Sequence, residues 1–265
     1  MLALIAGQGQ LPVILSRGLA ADGRVFQVYQ VAGYQFENPD ALRVQEFRLE
    51  QVGSLIADLV KDGFHGVCFA GTVRRPQLDI RAIDGATMPL LGRIKTAMQS
   101  GDDGALRVLI SLFSERGLDI VSPQDIAPDL LARSGTLTAI IPGAQHLKDV
   151  AIGQQVLVAQ GAADLGQACV VRGQDVIARE THGGTDVMLA GIAPGKGGIL
   201  FKGPKPDQDR RVDLPTIGLA TVDGVARAGL DGIVIVGGGV LILERQGVID
   251  ACNRAGLFLH VLEPV

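Results

Sequence analysis

The chain has 265 residues, which favours two domains of ordinary size, and its 47% of apolar residues against 20% of charged ones excludes a disordered polymer. A formal charge of -4 argues against a broad nucleic-acid surface, so any anion site must be local. The 36 glycines follow no G-X-Y period, which excludes collagen, and the 3 cysteines, Cys68, Cys169 and Cys252, are too scattered for a disulfide framework or a CxxC zinc site.

The N-terminus carries no basic n-region and runs directly into an apolar segment, so the chain is expected to stay in a reducing, cytoplasmic compartment. Leu2 to Ala6 is a buried strand, followed by Gly7-Gln-Gly9-Gln-Leu-Pro12 and a helix through Leu15 and Leu19 that closes near Gly23. Val25 to Val31 is the second strand, Val52 to Lys61 an amphipathic helix, and Gly66 to Ala70 the third strand, followed by Gly71-Thr-Val-Arg-Arg-Pro76. Helices are expected from Pro89 to Gln99 and from Gly104 to Arg116, with Gly101-Asp102-Asp103 between them. This alternation predicts a Rossmann-like, mostly parallel sheet with covering helices over residues 1–134.

The turn residues of Ser134 to Gly143 mark the boundary, and residues 135–265 form a second α/β domain. A helix over about Leu147 to Ala162 precedes a hairpin, Ala168 to Arg172 and Asp175 to Glu180 around Gly173-Gln174. A short helix follows Thr185-Asp186, then a strand near Gly198 to Lys202, an irregular loop, a helix over about Val222 to Ala228, and strands flanking Gly237 to Gly239. The apolar run from Gly232 to Leu243 is shorter than the roughly 20 residues that span a bilayer, and three glycines interrupt it.

The densest polar segment is Lys202-Gly-Pro-Lys205-Pro-Asp-Gln208-Asp209-Arg210-Arg211-Val-Asp213-Leu-Pro-Thr216-Ile-Gly218. Prolines restrict this loop, so its cations can be held for phosphoryl oxygens and its aspartates for a magnesium ion or a water; a solvated loop of self-compensating charges is the plainer alternative. The apolar neighbours Val212 and Leu214 predict that Asp213 is half-buried. Gly7-Gln-Gly9 can present N–H groups to an anion, although turn geometry explains these glycines equally well, and Pro12 breaks the dinucleotide fingerprint. Arg74 can grip a phosphate or sit in a structural ion pair, and Asp102 or Asp103 suits a helix cap better than a metal. Thr185-Asp186 behind Gly183 and Gly184 has the same ambiguity. The 4 histidines show no metal-binding spacing, and no nucleophile elbow is present.

Taken together, Leu4 to Pro12, Phe69 to Pro76, Gly101-Asp-Asp103, Leu165-Gly-Gln-Ala168, Gly184 to Leu189 and Lys202 to Gly218 make nearly the whole chain resemble the two-domain UDP-2,3-diacylglucosamine pyrophosphatases of lipid A biosynthesis. The resemblance implies magnesium-dependent hydrolysis of the diphosphate by water attack on the β-phosphorus, with the lipid held between the domains. It implies Asp213 as catalytic residue and metal ligand, with Asp186 as a second metal ligand. The implied substrate contacts are Gly7, Gly9, Thr72, Arg74, Thr185, Lys202, Lys205, Gln208 and Thr216. A lipid-linked UDP-sugar as partner further implies transient contact with the cytoplasmic face of the inner membrane, and the family suggests a homodimer. A non-catalytic nucleotide- or lipid-phosphate-binding protein is the alternative from a different class.

Overall fold

The computed structural model describes residues 1–73, 78–99, 102–163, 165–206 and 208–264, apart from the side chains of residues 98, 102 and 103. The expectations placed on Arg74, and on the side chains of Asp102 and Asp103, therefore lie outside the described residues. Two compact units emerge: residues Met1–Pro128 with Asp209–Val212, and residues Asp129–Gln208 with Asp213–Val265.

In the first unit, β1 (Leu2–Ala6) leads into α1 (Gln10–Ala21), β2 (Phe26–Val31), β3 (Val44–Phe47), α2 (Val52–Lys61) and β4 (Gly66–Ala70). Then come α3 (Leu91–Gln99), α4 (Asp102–Ser114), β5 (Asp119–Ile120) and α5 (Pro123–Ile126). The strands form one parallel sheet in the order β3-β2-β1-β4-β5. Every residue of β1 is buried because it has a strand on each side and cover on both faces. Ala3 and Ile5 share a core with Val52, Leu55, Ile56 and Leu59, the i, i+3, i+4, i+7 stripe of α2, while strand alternation turns Leu4 to the opposite, equally buried face.

The strand order reverses between β1 and β4, so the loops after these two strands meet at the carboxyl end of the sheet, the place where open α/β sheets bind ligands. They are tied directly together. Gly7 N donates to Ala70 O at 2.7 Å, and Gln8 and Thr72 exchange backbone hydrogen bonds of 3.0 and 2.9 Å. A Cβ on Gly7 would lie 2.7 Å from Thr72 O, and one on Gly71, whose φ is 85°, would lie 2.6 Å from Gln8 O. What requires the missing side chains at these two positions is the opposing loop.

The second unit contains β6 (Gly135–Thr136), α6 (Ala144–Ala162), β7 (Ala168–Arg172), β8 (Asp175–Arg179), α7 (Gly184–Ala190), β9 (Ile199–Lys202), β10 (Thr216–Ile217) and α8 (Leu219–Arg227). It ends with β11 (Gly232–Val236), β12 (Leu241–Ile242), α9 (Arg245–Ala255) and β13 (Phe258–Leu262). Six strands form a mixed sheet, β6-β13-β11-β9-β7-β8, in which β13, β11 and β9 run parallel and the outer strands antiparallel. The β7–β8 hairpin turns through Gly173 and Gln174, both at positive φ, as a two-residue hairpin requires. Side-chain alternation splits the core into two layers. Ile199 and Phe201 of β9 pack with Val156 and Leu157 of α6, whereas Leu200 packs with Leu189, Val222, Val225 and Val248 of α7, α8 and α9.

Several differences from the sequence reading have local causes. The helix expected from Pro89 begins at Leu91 behind a 3-10 turn over Met88–Leu90, and α4 begins at Asp102, so the two aspartates stand inside its first turn. Residues 209–212 leave the second unit for the first, a division that no composition shift marks. No described helix is long and apolar enough to cross a membrane.

Candidate functional site

Lys202 ends β9, and the alternation that directs Leu200 into the α7–α9 layer directs Lys202 to the same face, at the carboxyl end of the parallel strands β9 and β11. Its side chain is 7% exposed. The ammonium donates to Thr185 Oγ1 at 2.7 Å, and no described carboxylate lies within ion-pair distance of it. Burial pushes the lysine below its ordinary pKa, and the charges of Glu180 and Asp186 act in the opposite direction. An ammonium has three donors, and a buried one without a counter-ion carries a desolvation cost of several kcal/mol. Only one of its three donors has a described acceptor, Thr185 Oγ1.

The loop after Lys202 is held by its surroundings. A Cβ on Gly203 would lie 2.7 Å from Val236 Cγ2 and 3.1 Å from Leu157 Cδ1, so glycine alone lets the chain pass between β11 and α6. Lys205 and Gln208 are 8% and 7% exposed and close a turn twice over: Gln208 N donates to Lys205 O at 3.3 Å, and Lys205 N donates to Gln208 Oε1 at 3.1 Å. The remaining end of the Gln208 amide, Nε2, donates to Asp213 Oδ2 at 2.5 Å. Asp213 is half-buried, as its apolar neighbours predict. Thr216 is half-buried on β10, which pairs with β12 just beyond β11.

The charged loop thus divides into two parts. Arg211 places Nε and Nη2 on Asp209 at 3.0 and 2.7 Å, a self-compensated surface pair, and Arg210 O accepts from Gln124 Nε2 at 3.1 Å. Asp209 is accordingly held below its ordinary pKa by the Arg211 guanidinium. The other part comprises the buried Lys202, Lys205 and Gln208 and the half-buried Asp213.

The sequence candidates fall into three groups. Thr185 and Lys202 share a hydrogen bond, and Lys205, Gln208 and Asp213 form a second set joined through Gln208. Gly7 and Thr72 meet in the first unit, where Gly9 begins α1 at a φ of 96° with nothing within 4 Å of its Cβ position. Asp186 is exposed on α7. The sequence reading missed Glu180. This carboxylate is 8% exposed, its Oε1 accepts from Thr185 Oγ1 at 2.7 Å, and its Oε2 accepts from Gln167 N at 2.5 Å. The available signal was a glutamate following an alternating edge strand, five residues before a threonine already singled out.

Among the described residues no group of three or more His, Cys, Asp or Glu could hold a metal ion. Two of the 4 histidines serve elsewhere: His146 Nε2 meets Asp231 Oδ2 at 2.9 Å, and His260 Nδ1 meets Thr136 Oγ1 at 2.9 Å. Magnesium, however, is commonly bound through one or two carboxylates plus substrate phosphates, and Asp213 is a half-buried carboxylate of the kind that mode uses.

Fold and site define a two-unit α/β protein whose second unit carries buried lysines and a carboxylate held by a neighbouring amide. The family model of the LpxI N-terminal domain matches residues 1–130, and that of the LpxI C-terminal domain matches residues 133–260, so the chain belongs to the LpxI family. It is 35% identical over 273 aligned residues, covering 99% of this chain and 98% of the relative, to the UDP-2,3-diacylglucosamine pyrophosphatase LpxI of Caulobacter vibrioides.

Proposed function

We propose that the chain hydrolyses the diphosphate of UDP-2,3-diacylglucosamine, releasing UMP and 2,3-diacylglucosamine 1-phosphate, by water attack on the β-phosphorus. Membership of the LpxI family supports the reaction class. The observation that carries the site is the buried Lys202 ammonium with no described carboxylate partner, at the carboxyl ends of β9 and β11. Lys202 and Lys205 bind the phosphoryl oxygens, and Thr185 supports the first of them. Gln208 orients Asp213, which holds the attacking water, accepts its proton, or both. Gly7, Gly9, Thr72, Arg74 and Thr216 are the remaining substrate contacts that the family resemblance implies. Asp213, with Asp186 as a second carboxylate, would hold magnesium, which when bound neutralises charge developing on the diphosphate.

The substrate's acyl chains call for transient contact with the inner-membrane surface on its cytoplasmic side, and a homodimer belongs to the same reading. Product analysis in labelled water tests the reaction: label in the sugar phosphate supports β-attack, and label in UMP overturns it. Tight binding of 2,3-diacylglucosamine 1-phosphate (lipid X) or UMP, with no hydrolysis of UDP-2,3-diacylglucosamine under any divalent metal, would favour the non-catalytic carrier instead.

A further inference from the structure

We propose that Glu180 is a positioning residue: through the Thr185 hydroxyl it fixes the direction in which Lys202 presents its remaining N–H donors to a diphosphate. The inference rests on the reading of Lys202 as a phosphate ligand and assigns a part to a residue outside the expected set.

The chain of contacts has only one consistent polarity. A threonine hydroxyl has a single proton, and Thr185 directs it to Glu180 Oε1 at 2.7 Å, which leaves its lone pairs for Lys202 Nζ at 2.7 Å. An acceptor on one N–H of a tetrahedral ammonium sets the directions of the other two, which have no described acceptor. A hydroxyl free to rotate would not impose this order; a carboxylate behind it does.

Glu180 is itself held at every polar atom. Its Oε2 accepts from Gln167 N at 2.5 Å, its backbone N donates to Ala168 O at 2.9 Å, and its backbone O accepts from Gln160 Nε2 at 3.0 Å. Gln160 is 4% exposed and also binds Leu165 O through Nε2 at 3.1 Å, so the support extends into α6. Such an arrangement, in which a group touching the ligand is locked by a neighbour that does not, is how preorganised sites hold their donors. Glu180 at the end of β8 and Asp186 on α7 are the charged groups that act on Lys202 among the described residues, and Glu180 alone reaches it through a hydrogen-bonded partner.

The test measures UDP binding by calorimetry and turnover of UDP-2,3-diacylglucosamine for E180Q, T185V, T185S, E180Q/T185V and K202M, with melting temperature as the fold control. E180Q and T185V are each expected to raise the UDP Kd and the KM by roughly tenfold, and T185S to recover most of what T185V loses. Because Glu180 acts through Thr185, the double variant should be no worse than T185V alone. Additive losses would mean that Glu180 acts independently, and wild-type UDP binding by E180Q beside a defective K202M would remove Glu180 from the site while leaving Lys202 in it. K202M with wild-type binding and turnover would overturn the phosphate role of Lys202 and this inference together. If E180Q does not fold, T185V decides, since wild-type binding by T185V breaks the chain at its middle member.

Discussion

Asp213 Oδ2 accepts the side-chain N–H of Gln208 while the carbonyl of the same amide accepts the backbone N–H of Lys205. One planar group thereby fixes a carboxylate relative to the turn that carries a buried cation. For an acid or base, such alignment matters as much as the group itself, because proton transfer falls off steeply with misplacement.

D213A is therefore expected to retain its fold and UDP binding and to lose turnover by at least about 100-fold, the scale of a positioned acid or base. Q208A should fall between wild type and D213A, because it leaves the carboxylate present and unaligned. UMP release under single-turnover conditions checks both. Full activity in D213A would remove Asp213 from the mechanism.

K202M should be more stable than the wild type and inactive. Burial lowers the folded pKa of Lys202 beneath the ordinary value of 10.5, so the unfolded chain binds more protons and wild-type stability rises with pH across the interval between the two. Below that interval the buried charge bears its full cost, and an apolar side chain of similar length should gain about 1 to 3 kcal/mol at neutral pH. Above it both states are neutral and the charge no longer contributes to the difference. Urea titrations from neutral to strongly alkaline pH measure this, and a K202M protein less stable than wild type at pH 7 would contradict it.

At the junction of β1 and β4, G71A should destabilise the chain by at least about 2 kcal/mol, since it combines a left-handed φ with a backbone clash. Its new Cβ would stand 2.6 Å from Gln8 O and 2.9 Å from Pro12 Cγ. G9A meets nothing within 4 Å and carries only the conformational cost of its φ of 96°, about 1 to 3 kcal/mol, without the added clash. Denaturant melts of the two variants should preserve that order. Equal losses would show that the opposing loop is not what excludes a side chain.

The three thiols should resist modification in the native state. Burial pushes Cys68 and Cys169 up to about 12 and Cys252 up to about 11, so almost no thiolate forms at pH 8. Labelling with a thiol reagent should follow global unfolding, with all three cysteines reacting together in denaturant. Rapid native labelling of any of them would reveal a local opening.

Local pattern made much of this molecule legible. β1, α2 and β4 have the bounds that their apolar spacing predicts, because each is a short unbroken buried run or a clean helical stripe. The C-terminal elements were not legible. α9 buries only Val248 and Cys252, too few for a visible stripe, and β13 has the polar His260 at its centre, which bonds to Thr136 of a strand only two residues long. The site was legible in its members and not in its connections. Lys202, Thr185, Gln208 and Asp213 stand out by type and setting, whereas Glu180 gains its meaning from partners at positions 167 and 185 that meet it only after the sheet forms.

The position of β13 between β6 and β11 has a consequence for synthesis. As the chain leaves the ribosome, Lys202 and Asp213 emerge before Phe258–Leu262, the strand that fills the sheet interior. Until that strand arrives, one edge of β11 lacks its parallel neighbour. The first unit's strands are all complete by Ile120, ahead of every strand of the second, and only its Asp209–Val212 segment emerges later. A nascent chain is thus expected to complete the second unit's sheet only after β13 has emerged.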